Sequence, residues 1–304
     1  MEVFKLSTVP MLTIYTPTYN RANLLPRVYD SLCRQTCKDF LWLVIDDGST
    51  DCTRKLVEGW VKENKFEIQY IYKENGGVHT ARDLAYSICV TELISSCDSD
   101  DYLTENAVEL WLECWKKRKT DEYLGIFSVT VNMEGTRVTP CFPEVSSVTY
   151  QDFTYKYKCE GEKDAVYRAD VLAALPKYPV YQGEKLVGEG YKWIQLPENK
   201  EFILLDEVTR VYDQQEDGYI KGVAGSRFKN PNGYRALYRQ HIISNKYLKP
   251  RLKGHIGYIA FSLILKDYRF IKKSPNPFVT IMMLPMGVVG FIYFLYKREK
   301  AKNA

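Results

Sequence analysis

Three carboxylates stand within four residues at Asp98-Ser-Asp-Asp101, directly behind the apolar run Leu93 to Cys97. In an extended chain the side chains at i and i+2 share a face, so Asp98 and Asp100 point one way and Asp101 the other. Two carboxylates facing one cleft repel each other unless a cation sits between them. Hard oxygen donors suit Mg²⁺ or Mn²⁺, and such ions usually reach their substrates through phosphate oxygens. The competing account is an acidic turn that caps the next helix, expected from about Thr104. Under it Asp101 is a cap rather than a ligand.

The elements that would carry this turn are legible upstream of it. Met11 to Thr16 is a short apolar strand that stops at the turn Pro17-Thr-Tyr-Asn20. A helix follows with Leu24, Leu25, Val28 and Leu32 on one face. Phe40 to Ile45 is a continuous apolar run, as expected for a strand buried on both faces. It ends in Asp46-Asp-Gly-Ser-Thr-Asp51, with Ser49 or Thr50 available to cap the helix that runs to about Glu63. Strand Glu67–Tyr72, a helix opened by Asn75-Gly-Gly77, strand Leu93–Cys97, a helix to Lys119 and strand Leu124–Asn132 complete the series. Such alternation predicts an α/β fold, a mostly parallel sheet covered by helices. The polar clusters 16–21, 46–51, 75–82 and 98–101 all fall where a strand ends and a helix begins. In open α/β sheets those ends line the ligand crevice.

At 304 residues the chain can bury a large core. Its net charge of +4 conceals an asymmetry, because from Lys221 onward 17 Lys/Arg face only Asp267 and Glu299. A basic tail on an acidic body predicts contact with an anionic surface, lipid or nucleic acid. The eight cysteines form no CxxC pair, which predicts reduced, largely buried thiols. The N-terminus lacks the pattern of a cleaved signal, and the body is expected to be cytosolic.

No GxxxxGK[ST] loop is present and no GxGxxG follows the first strand, so ATPase and dinucleotide chemistries lose their main signatures. Instead Pro17-Thr-Tyr-Asn-Arg21, Ile45-Asp-Asp-Gly-Ser-Thr-Asp51, Glu74-Asn-Gly-Gly77 with Ala81-Arg82, and Cys97-Asp-Ser-Asp-Asp101 occur in that order. Over residues 11–130 this series closely resembles the nucleotide-sugar domain of family 2 glycosyltransferases of the bacterial polysaccharide type, which have the GT-A fold. The resemblance implies that Thr16, Pro17 and Tyr19 lie along the nucleoside and that Asp47 accepts a hydrogen bond from the base. It implies that Arg82 holds the nucleotide or its diphosphate. Asp98 and Asp100, with Ser99 between them, match the DxD pattern that carries Mn²⁺ or Mg²⁺ and the nucleotide sugar. The family often has Asn after the Ala-Arg pair, where this chain has Asp83.

The resemblance also implies an inverting transfer, which needs a general base and no covalent intermediate. Glu189, four residues before Trp193, is similar to the acid that opens the family's acceptor-side helix, although Gly190 replaces the usual second acid. Glu184 is the competitor. Further on, Tyr212–Gly218 lies where the family carries a loop that closes over the diphosphate, and a solvated acidic turn is the alternative.

The tail mixes basic and apolar residues at helical intervals. Ile256–Leu265 is too short to span a bilayer and reads as a core or interfacial segment. Phe278–Tyr296 is a run of 19 uncharged residues, about 28 Å as a helix and just enough to cross the hydrocarbon core. Pro285, Gly287 and Gly290 allow a kink or a re-entrant path. The alternatives are a span, a helix lying on anionic headgroups, or a buried helix. Nucleic-acid binding does not account for the uncharged stretch.

The expected organisation is a glycosyltransferase domain over 1–220, with a nucleotide half at about 11–130 and an acceptor half at about 131–220. A basic helical, membrane-associating tail follows over 221–304, its apolar segment at about 278–296. The expected partners are a UDP- or GDP-linked sugar, a saccharide or lipid-linked acceptor and an anionic membrane surface on the cytoplasmic side. Transfer to a polyisoprenyl phosphate, or a non-catalytic scaffold role in a membrane assembly complex, are the alternative functions.

Overall fold

Seven consecutive buried residues, Leu12–Thr18, form β1 in the interior of the sheet. The computed structural model describes residues 9–213 and 223–302. It divides into two compact units, one of Met1–Ala174 with Pro197–Gln214, the other of Leu175–Leu196 with Gln215–Ala304. The segment 175–196, expected in the transferase domain, thus groups with the helical tail.

In the first unit β1 pairs in parallel with β2 (Phe40–Asp46) on one side and with β4 (Leu93–Ser96) on the other, and β2 pairs in parallel with β3 (Glu67–Tyr72). Helices α1 (Leu25–Cys33), α2 (Thr53–Glu63) and α3 (Val78–Ile88) make the connections. The apolar run of β2 is buried along its whole length. Tyr29 of α1 stacks on Trp60 of α2 with ring centroids 4.4 Å apart, and Trp42 of β2 lies beside both, closing the core over this face.

The remainder of the sheet departs from the parallel expectation. After β5 (Tyr102–Leu103), α4 (Ala107–Arg118), β6 (Tyr123–Asn132) and β7 (Ser147–Val148), strand β8 (Asp164–Arg168) inserts antiparallel between β4 and β6. The nine-stranded sheet is therefore mixed, in the order β3-β2-β1-β4-β8-β6-β9-β5, with β7 against β9 (Glu201–Tyr212). The cause lies in the connection. A parallel neighbour needs a long crossover that returns the chain to the starting end. Residues 133–163 contain only β7 and a short π-helical turn at Asp152–Lys156, so β8 starts where β6 finishes, with Ser128 opposite Asp164. A short helix α5 (Ala169–Ala174) follows β8.

The second unit contains α6 (Gly190–Trp193), α7 (Val223–Lys229), α8 (Pro231–Ser244), α9 (Leu248–Ile264), α10 (Phe270–Lys273), α11 (Pro277–Met282) and α12 (Leu284–Lys302). Ile259, Ala260 and Phe261 of α9 are fully buried, so the apolar run 256–265 is core. The uncharged run 278–296 is interrupted at Met283 between α11 and α12. Among the described residues no helix is long and apolar enough to cross a membrane. All eight cysteines are free; Cys97 and Cys159 are buried, whereas Cys52 and Cys141 are exposed.

Candidate active site

Parallel pairing of β3, β2, β1 and β4 puts their carboxyl ends along one edge of the sheet. Thr18 is in register with Asp46, Asp46 with Tyr72, and Tyr15 with Ser96. The four polar loops that follow therefore share a rim, and hydrogen bonds stitch them together. The backbone N–H of Asn20, a residue at φ 53°, donates to Ser49 Oγ (2.9 Å), and Asn20 Oδ1 accepts from the N–H of Thr50 (2.8 Å). Ser49 and Thr50 are thus spent on the first loop, and Asp51 accepts from the N–H of Thr53 at the start of α2. This corrects the expected cap.

Asp46 and Asp47 both organise loops. Asp46 is fully buried and accepts from the Ser49 N–H (2.7 Å) and the Tyr70 hydroxyl (2.6 Å). Asp47, expected to meet a base, here accepts from the N–H groups of Gly76 (2.9 Å) and Gly77 (2.7 Å) and from Lys73 Nζ. Its carboxylate holds the Asn75-Gly-Gly77 loop in front of α3. Gly48 makes this closeness possible: at φ +88° a Cβ there would lie 2.8 Å from the backbone nitrogen of Asn75. Thr16 lies inside the sheet, fully buried, its Oγ1 accepting from Trp42 Nε1 (2.9 Å). Pro17 is in register with Ile45, and Tyr19 is half exposed beyond it.

On the fourth loop Asp98 is partly exposed, yet its Oδ1 is a buried oxygen with no hydrogen-bond partner among the described residues. Arg82, buried on α3, places Nη2 3.9 Å from that atom, a loose ion pair. Ser99 is buried between the two acids. Burial first, and then the charge of Asp98, raise the carboxyl of Asp100 above its ordinary range. Asp101 is neither an exposed ligand nor a helix cap; α4 starts at Ala107, after Asn106. It is buried, it accepts from the N–H of Asp213 (3.3 Å), and it faces Arg210 at 3.6 Å. Burial pushes Asp101 up to about 8, with Arg210 opposing and Asp98 and Asp100 adding to the rise.

Two residues that sequence reasoning passed over support this turn from below. Arg210, on β9, donates to the carbonyl of Ser96 and to Asp164 Oδ1 (2.5 Å). Asp164 is fully buried at the start of β8 and also accepts from Thr209 Oγ1 (2.9 Å) and its neighbour's backbone N–H (3.0 Å). The signal was present. Charged residues are almost never buried unless paired, and both stand inside strand-like apolar context.

The oxygens of Asp98 and Asp100 fit a divalent cation. One buried carboxylate oxygen accepts no hydrogen bond among the described residues, burial and then the charge of Asp98 raise Asp100, and the donors are hard. Among the described residues no three or more His, Cys, Asp or Glu side chains gather as a complete metal cage. An ion on this pair would draw further ligands from water and substrate oxygens, as Mg²⁺ commonly does.

Glu189 and Glu184 belong to the second unit. Glu189 is exposed and precedes α6, with Trp193 Nε1 donating to its Oε2 (3.3 Å). Glu184 is buried. Its Oε1 accepts from the N–H (2.9 Å) and Nδ2 (2.7 Å) of Asn232, and its Oε2 from the N–H of Gly233 (2.8 Å). Those N–H groups open α8, so Glu184 caps a helix. Of the Tyr212–Gly218 loop, residues 214–218 lie outside the described residues.

A mixed sheet with a parallel nucleotide-binding half and a DxD turn on its rim is a GT-A-like α/β fold, the architecture of nucleotide-sugar transferases. The chain belongs to glycosyl transferase family 2, whose family model matches residues 13–170. The hyaluronan synthase of Pasteurella multocida is 35% identical over 138 residues, 45% of this chain and 14% of that protein. A chondroitin synthase of Escherichia coli is 34% identical over 117 residues, 38% of this chain and 17% of the relative. The chain therefore matches only a small part of these longer proteins. Among solved structures, S. aureus TarS 1-349 in complex with UDP-GlcNAc superposes with a TM-score of 0.62 at 18% identity, covering 94% of this chain and 81% of that one. A mannosyltransferase from Pyrobaculum calidifontis in complex with GDP-Man and Mn²⁺ gives 0.51 at 18% identity, over 93% and 74%. At that identity the structural likeness concerns the fold alone.

Proposed function

We propose that this chain is an inverting glycosyltransferase that moves a sugar from a UDP- or GDP-linked donor to a saccharide acceptor in cell-surface polysaccharide synthesis. The acceptor is lipid-linked and the reaction runs on the cytoplasmic face of a membrane, a reading motivated by the basic, apolar tail. The observation that carries the proposal is the buried Oδ1 of Asp98, which accepts no hydrogen bond among the described residues and has only a loose ion pair with Arg82, on a rim made by four strand ends. The names of the relatives, two glycosaminoglycan synthases, support the polymer class.

The residues divide the work. Asp98 and Asp100 would hold Mn²⁺ or Mg²⁺, which when bound neutralises charge on the departing nucleoside diphosphate. Arg82 supplies a fixed positive charge for the same oxygens. Pro17 and Tyr19 line the nucleoside, Thr16 supports them from inside the sheet, and Asp47 keeps the Gly76-Gly77 backbone in place beside the base. Glu189, whose exposed carboxylate accepts a long hydrogen bond from Trp193, takes the proton of the acceptor hydroxyl.

Thermal unfolding with a panel of UDP- and GDP-sugars, with and without Mn²⁺ or Mg²⁺, tests the proposal. At least one donor should raise the midpoint only when the cation is present, because a ligand selective for the folded state stabilises it by mass action. Asp98→Asn or Asp100→Asn should abolish that rise. Stabilisation that survives either substitution, or none from any donor, refutes the reading. With donor and acceptor in hand, Glu189→Gln should slow turnover by ~10²–10⁴-fold; near-normal turnover removes Glu189 as the base.

A further inference from the structure

The uncharged run near the C-terminus has a packed face and a bare one. One packs inward on α9. A Cβ at Gly287 would come within 2.5 Å of Ile259, and one at Gly290 within 3.0 Å of Ile256, so these glycines let the two helices approach closely. Phe294 completes that side, with its ring centroid 5.1 Å from that of Phe261. The other face is apolar and bare. On α12, Met286, Val289, Tyr293 and Tyr296 follow one another at steps of three and four, which places them along one line of the helix surface, and Met282 at the end of α11 precedes them. Each is between 51% and 65% exposed. Isolated exposed apolar residues need no explanation, but a contiguous stripe of them marks an interaction surface.

Charge identifies the occupant. The stripe is bracketed by exposed cations, with Arg269, Lys272 and Lys273 before it and Lys297, Arg298 and Lys300 after it. Asp267, the acid nearest the first group, is already held by Arg235 and Lys273. A second copy packed on this face in antiparallel fashion would bring one cationic flank against the other. An anionic bilayer instead supplies acyl chains for the stripe and phosphates for both flanks. The tyrosines suit the headgroup level. The apolar part of α12, from Leu284 to Tyr296, is about 20 Å long, short of the ~30 Å hydrocarbon core.

We infer that the bare face of α11 and α12 lies in the plane of an anionic lipid surface, seated by the stripe through Met286 and Val289 and held by the cations at both ends. This does not rest on the transferase reading.

The test uses the full chain without detergent, sedimented with sucrose-loaded vesicles of phosphatidylcholine alone or with phosphatidylglycerol added. The protein should pellet with the anionic vesicles and be released by salt. Met286→Glu with Val289→Glu should weaken binding about tenfold or more, and Lys272→Gln with Lys273→Gln should weaken it on anionic vesicles only. Val289→Trp, an exposed substitution, should show fluorescence quenching by brominated lipid beyond that of the unmodified chain. Three results overturn the inference: a protein that stays in the supernatant, added fluorescence from the Val289→Trp variant that brominated lipid leaves untouched, or a lipid-free dimer that the glutamate pair dissociates.

Discussion

Replacing Arg210 by Met probes the foundation of the acidic turn without touching its exposed carboxylates. The guanidinium meets Asp164 at 2.5 Å, Asp101 at 3.6 Å and the carbonyl of Ser96, and all three residues lie in the first unit. Methionine fills much of the space but leaves two buried carboxyls without the cation they share. Removing one partner of a buried pair costs about 3–5 kcal/mol, a large share of the ~5–15 kcal/mol that holds a typical domain together. Urea unfolding followed by tryptophan fluorescence should show a lower midpoint with little change in slope, read in the transition of the first unit. Asp164→Asn added to Arg210→Met should restore part of the loss, because it deletes the orphaned charge. The double variant is expected to be more stable than the sum of the singles by about 1 kcal/mol or more. A loss under ~1 kcal/mol for Arg210→Met, or strict additivity in the cycle, would refute the pairing as the support of the turn.

Three other expectations follow from the same geometry. Glu184→Gln keeps one acceptor oxygen but loses the charge at the start of α8, so stability should fall by about 1–2 kcal/mol while turnover is spared; a turnover defect with unchanged stability would make Glu184 the base. Gly48→Ala forces a Cβ into a left-handed backbone position 2.8 Å from Asn75 N, which should cost about 1–3 kcal/mol and weaken donor binding in the thermal assay. His241 on α8 is held down to about 4 by burial, with Nδ1 3.4 Å from Asn245 Nδ2. Its unfolded form takes up protons below ~6.5, so the unfolded state binds more protons as pH falls from there toward 4. Stability should therefore decline over that window by up to roughly 3 kcal/mol. His241→Gln should flatten that part of the pH profile, and an unchanged profile would show that His241 does not titrate as inferred.

The first half of the chain was readable because its signals are local. The apolar runs of β1 and β2, the Gly-rich stretch before α3 and the carboxylates after β4 announce strands, turns and a rim within a few residues each. Parallel pairing then gathers the loops on one edge by topology alone. The direction of β8 was another matter, because nothing in Asp164–Arg168 says which way it runs. That depends on the lack of a crossover helix in the preceding connection.

What only the tertiary structure decided is which polar groups meet. Arg210 finds Asp164 across 46 positions of sequence and Glu184 finds Gly233 across 49, contacts whose worth comes from burial, not from any pattern along the chain. The same holds for the final helices. Their sequence is evenly apolar, and α9, by covering one side, left the other bare. Period and composition determine which segments can bury themselves. Packing chooses which carboxylates are held by a partner, which keep an oxygen without a hydrogen bond, and which face of a helix stays exposed.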